Sequence, residues 1–121
     1  MILLLSDDLL DTSKTTASAR ALGIRVHQSH SVADAIKRLE LNSVACCIVD
    51  LQLPQLDLPQ LLAGVARQES PCRVVAYGSH VDAERLKAAR QLGCYEVMPR
   101  SQFFEEMPTR IAEWGGSPPV G

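Results

Sequence analysis

Two rhythms of apolar and polar positions alternate along the chain. Residues 2–5, 24–27, 44–49, 73–77 and 95–98 are short runs, apolar or β-branched, bounded by turn-forming or capping residues. Such runs predict strands, here β1 to β5. Longer stretches with apolar residues at helical spacing lie between them. The first, about 9–22, stops at Gly23, a residue suited to the left-handed turn that closes a helix. The second opens at Ser31-Val-Ala-Asp34, a start resembling a capping box, and sets Val32, Ala35, Ile36 and Leu39 on one face. A third covers about 58–68, with Pro59 tolerable in its first turn. The fourth, about 82–92, carries Leu86, Ala89 and Leu92 and stops at Gly93. Pro108 interrupts the last stretch, because its ring and missing N–H oppose a continuous helix. The expectation there is a turn through 103–106 and a short fifth helix from Pro108. Residues 1–114 then form one domain, and GGSPPVG, 115–121, reads as a disordered tail or linker.

Five strands alternating with five helices give (βα)5. Short βαβ crossovers are right-handed, so the strands form a doubly wound parallel sheet with both faces covered. The expected fold is flavodoxin-like, strand order 2-1-3-4-5, with a ligand site where β1 and β3 meet at their C-terminal ends. Ser6, Asp7 and Asp8 follow β1, and Asp50 ends the apolar run VACCIVD. Carboxylates far apart in sequence are therefore expected to converge in one crevice.

Composition narrows the classes. A chain of 121 residues is about one domain, burying roughly two-thirds of its unfolded surface. With 21% charged residues and a net charge of −2, no broad basic face for nucleic acid is expected. The apolar start, Met1–Leu5, is too short for a membrane span or a signal-peptide core, so a cytoplasmic protein is expected. Cys46 and Cys47 are adjacent on a strand and point to opposite faces, while Cys72 and Cys94 are isolated. No metal-type spacing exists, so the cysteines read as small buried hydrophobes. His27, His30 and His80 show neither metal spacing nor a nucleophile partner. Phe103, Phe104, Ile111 and Trp114 read as packing.

Clustered acids repel, and a hard divalent cation such as Mg²⁺, held by one or two carboxylates, relieves them. A carboxylate in such a place can attack phosphorus and form an aspartyl phosphate. Arg100, just past β5, supplies a cation for a phosphoryl oxygen, or else simply pairs with a pocket acid.

LLLSDD, VDLQLPQLD and GCYEVMPRS, in this order, resemble the receiver domain of bacterial two-component response regulators over about residues 1–114. The resemblance implies that Asp50 is the phosphoacceptor, with Pro54 and Asp57 completing its motif. It places Asp7 and Asp8 on the Mg²⁺-binding acidic pair, although spacing to Gly23 allows Ser6 and Asp7 instead, with Asp8 capping the helix. It implies a non-enzymatic signalling role. The partners it implies are a histidine kinase or phosphotransfer protein, a downstream protein target and a possible homodimer through the α4–β5–α5 face.

Departures from that pattern fall on the switch. Gly78 stands where the family has a Thr or Ser hydroxyl. Ser79, one place later, is a weak substitute for it and reads more readily as the N-cap of α4. Val97 stands at the aromatic position, Arg100 at the lysine and Ser101 at the proline, so the β5–α5 connection is expected to take another path. Two readings follow: a phosphoacceptor with altered switch residues, or a phosphorylation-independent pseudo-receiver used for interaction or dimerisation. A flavodoxin-type small-molecule binder is disfavoured, because SDDLLDTSK offers acids in place of an anion cradle.

Overall fold

Alternation along the strands divides the interior into two apolar layers. In the computed structural model, which describes residues 1–116, the strands are β1 Ile2–Leu5, β2 Val26–Ser29, β3 Cys46–Asp50, β4 Arg73–Gly78 and β5 Glu96–Pro99. The helices are α1 Leu9–Arg20, α2 Val32–Leu41, α3 Leu58–Ala66, α4 Ala83–Gln91 and α5 Arg100–Gly115. All strand pairs are parallel, in the order β2-β1-β3-β4-β5, as expected. Leu3, Leu5, Cys47, Val49, Val74 and Ala76 face α2, α3 and α4. Ile2, Leu4, Cys46, Ile48, Val75 and Tyr77 face α1 and α5. Cys46 and Cys47 thus serve opposite layers, and all four cysteines are free thiols.

Several boundaries move from their expected places. The Ile24 N–H bonds the Ala19 carbonyl at 2.9 Å, so Ile24 completes the turn closing α1, and β2 starts at Val26. Gly23 holds that turn with a φ of +71°. Ser31 caps α2 by accepting the Asp34 N–H, but Asp34 does not return the bond. Its carboxylate accepts the Ser29 hydroxyl at 2.7 Å. That bond is the main reason its carboxyl lies below the usual carboxylate range.

The last helix corrects the sequence expectation most. Residues 100–115 form one α-helix with Pro108 inside it, where a turn at 103–106 and a short helix were expected. Phe103, Met107, Ile111 and Trp114 recur at helical spacing and are all fully or almost fully buried. Burying such side chains is worth about 1.5–3 kcal/mol each. Together they outweigh the one backbone bond, to the Phe104 carbonyl, that Pro108 cannot donate. Pro108 itself faces solvent. The helix reaches Gly115, where an added Cβ would meet Ile2 Cδ1 and Ile24 Cγ2 at 2.9 Å. The helix therefore runs one residue past 114; the rest of the expected tail, 117–121, lies outside the described residues.

Candidate functional site

The C-terminal ends of β1, β3 and β4 open into one cleft of about 300 Å³, lined by Asp8, Asp50, Gln52, Tyr77, Gly78, Ser79, His80 and Arg100. Asp50 ends β3 and is only 8% exposed. Its Oδ1 accepts the Gln52 N–H at 2.9 Å, and its Oδ2 accepts the Ser6 hydroxyl at 3.3 Å. Burial raises its carboxyl above the ordinary range; the Asp11 charge adds to this, while the two hydrogen bonds and Arg100 oppose it. The result is a buried carboxylate of enhanced basicity that lines the cleft.

The expected acids do not all converge. Asp8 is the N-cap of α1 and accepts the Asp11 N–H at 2.9 Å, a bond that leads the lowering of its carboxyl. Asp7 is not among the cleft-lining residues; its Oδ1 bonds His30 Nδ1 at 2.8 Å. Adjacent residues on leaving a strand diverge, and here Ser6 turns inward while Asp7 turns out. Ser6 is fully buried, and its oxygen also accepts the Asp8 N–H at 3.1 Å. The pair meeting Asp50 is thus Ser6 below and Asp8 across the cleft. His30, assigned no chemistry from sequence, is the partner of an expected ligand, and His80 lines the cleft. Among the described residues, no three His, Cys, Asp or Glu side chains are clustered to hold a metal. Asp8 and Asp50 remain a two-carboxylate set, which suits Mg²⁺ because that ion keeps several waters.

Arg100 pairs with an acid that sequence reasoning passed over. Asp11, in the first turn of α1, is fully buried, and both its oxygens take the two terminal amino groups of Arg100. Its Oδ2 also accepts the Tyr77 hydroxyl at 2.8 Å. The ion pair pushes the guanidinium above its already high value, and burial pushes the Tyr77 phenol far up, so it stays a neutral donor. The guanidinium lies 5.0 Å from the Phe104 ring centre and 6.0 Å from that of Tyr77. Tyr77 stacks on Phe103 at 4.6 Å, and Phe103 on Trp114 at 5.5 Å. An acid one turn into a helix whose neighbours are Leu10 and Thr12 gives little sequence signal of burial. The available clue was Arg100, for which the sequence already allowed pairing with a pocket acid.

The remaining switch positions are also placed. A Cβ at Gly78 would meet Leu51 Cβ at 3.3 Å and Leu86 Cδ2 at 3.4 Å, so a hydroxyl side chain rooted there would be crowded. Ser79 lines the cleft but does not cap α4, correcting that expectation; Asp82 caps it by accepting the Arg85 N–H. Asp57 caps α3 in the same way. Val97 is half-buried against the α2–α3–α4 layer. No loop separates β5 from α5: Pro99 ends the strand and is the residue before the first helical position, Arg100.

Comparison with known proteins adds a family-level finding. The model described as "Response regulator receiver domain" matches residues 2–112. No curated protein sequence matches. Among solved structures, the receiver domain of sensor histidine kinase PA1611 from Pseudomonas aeruginosa PAO1, with a magnesium ion in its active-site cleft, is 22% identical. Its TM-score is 0.75, with 96% of this chain and 97% of that chain covered. The receiver domain of NtrX from Brucella abortus is 18% identical, TM-score 0.76, covering 93% and 95%. The phosphorylated cyanobacterial phytochrome response regulator RcpA is 17% identical, TM-score 0.72, covering 93% and 91%. At these identities the likeness is one of fold.

Proposed function

The chain belongs to the response regulator receiver domain family, a family of signal-transduction modules, and on that premise we propose that Asp50 accepts a phosphoryl group in a phosphorelay. The observation that carries this reading is Asp50 itself: a buried, basic carboxylate at the end of a central strand, with a cation and a second acid in its cleft. An Asp50 oxygen attacks phosphorus while the bond from phosphorus to a donor histidine nitrogen breaks, leaving the donor imidazole to take up a proton. Gln52 N–H and the Ser6 hydroxyl orient the carboxylate, and Arg100 supplies positive charge beside the transferring group. Asp50 and Asp8 are the residues that would hold Mg²⁺, which offsets charge on phosphoryl oxygens when bound.

Receiver domains work with histidine kinases or phosphotransfer proteins and with downstream effectors. For this chain a histidine-containing donor and a protein target, in the cytoplasm, are the partners of the proposal. A homodimer through α4–β5–α5 is a further partner of the proposal. No helix among the described residues is long and apolar enough to cross a membrane.

A second reading, a phosphorylation-independent interaction module, is favoured by one observation: the Gly78 site has no hydroxyl, and a side chain there would be crowded by Leu51 and Leu86. Treatment with acetyl phosphate and Mg²⁺ separates the two. The proposal expects the mass gain of one phosphoryl group, mapped to Asp50 and lost in Asp50→Asn. An unmodified protein beside a modified receiver control favours the interaction module.

A further inference from the structure

Arg100 shares its cleft with Asp50 but is committed to Asp11. Its two terminal amino groups fork onto Asp11, yet its side chain is 41% exposed and lines the cleft that holds Asp50. Asp11 is fully buried and has a second donor, the Tyr77 hydroxyl at 2.8 Å. A forked pair with a carboxylate is the same geometry that a phosphoryl group would use. Resting on the phosphoacceptor reading, we infer that Asp11 competes with the anion on Asp50 for Arg100, so the Asp11 pair is the resting position of a two-position guanidinium.

The charges set the direction of the exchange. A phosphoryl group on Asp50 carries about −1.5 to −2, against a single charge on Asp11. The shift is driven only by the difference between the two sets of contacts, and Tyr77 reduces the loss at Asp11 by continuing to donate to it. Tyr77 is also the cross-strand partner of Asp50 in the β3–β4 register. It heads the stack through Phe103 to Trp114, so an Arg100 that leaves Asp11 removes a cation from the top of that stack. In this chain the exchange takes the place of the hydroxyl and aromatic groups absent at Gly78 and Val97.

Coupling of this kind is reciprocal, so weakening the resting pair must strengthen the anion. Calorimetric titration of beryllofluoride, with Mg²⁺ present, into the wild type, Asp11→Asn, Arg100→Gln and the double variant tests it. Asp11→Asn is expected to bind at least fivefold tighter, within the usual span of about 5- to 150-fold for linked sites. That gain is expected to vanish in the Arg100→Gln background, where there is nothing to release. A gain of equal size in both backgrounds reflects mere loss of a negative charge and overturns the inference, as does unchanged or weaker binding by Asp11→Asn. Should Asp11→Asn not fold, Tyr77→Phe carries the test: Asp11 then loses its second donor and holds Arg100 harder. Weaker beryllofluoride binding supports the inference, and unchanged or tighter binding defeats it. Binding by the wild type without these changes sinks the inference alone; binding by none of the proteins sinks the phosphoacceptor reading with it.

Discussion

Leu51 crowds the space into which a side chain at residue 78 would grow: its Cβ is 3.3 Å from where a Cβ on Gly78 would lie. Leu51 follows Asp50 directly and is 2% exposed, and Gly78 ends the neighbouring strand. Restoring a hydroxyl here by Gly78→Thr is therefore expected to destabilise the protein by about 1–3 kcal/mol, the usual effect of overpacking. Urea denaturation measures it. Gly78→Ser, being smaller, should lie at the low end of that span.

The raised carboxyl of Asp50 has a sign opposite to the common aspartate case. Its folded-state value lies above the unfolded value of about 3.9, so the native state binds the extra proton between the two. Stability from this group is present below the unfolded value and lost as pH rises through the folded one. Asp50→Asn should thus be more stable than the wild type at neutral pH, by about 1 kcal/mol, the low end of the penalty for a poorly compensated buried group. The gap should close on acidification past pH ~4. Equal slopes of stability against pH in the two proteins would contradict the assignment.

Arg100→Gln leaves Asp11 buried without its cation. Breaking a fully buried pair costs about 3–5 kcal/mol, and the exposure of Arg100 lowers the expectation to about 2–3 kcal/mol. Adding Asp11→Asn to that variant should recover part of the loss, because no unpaired charge then remains. Chemical denaturation of the single and double variants gives the comparison.

Pro108 sits exposed within α5, so Pro108→Ala opens no cavity and returns an N–H to the Phe104 carbonyl. An interior proline costs a helix about 3 kcal/mol relative to alanine, and the stiffer unfolded chain that proline provides offsets about 0.4–1 kcal/mol of that. A net stabilisation of about 1–2 kcal/mol is expected, since the surrounding packing already tolerates the ring. It should be visible as a higher melting temperature.

The fold was legible because strand alternation and helix spacing are local signals that agree with the sheet order. The Asp50 position was legible for a related reason: a single acid closing an apolar run is conspicuous. Asp11 was not, since nothing local distinguishes a helix acid facing solvent from one facing another element. The acidic pair after β1 was uncertain by one residue because a strand end does not declare which side chain turns in; the answer, Ser6 inward and Asp7 toward His30, is set by tertiary contacts. Pro108 is a misleading signal because helix propensity alone takes no account of the four buried residues of its helix.

Pro99 has one further consequence. It closes β5 and immediately precedes α5, with its ring fixing φ at −58°. The backbone under Arg100 is therefore anchored to the sheet on one side and to a packed helix on the other, with no slack segment to swing. Whatever reach the guanidinium has between its two acids must come from rotation about its own side-chain bonds, which makes this a lever on a fixed pivot and not a gate on a hinge.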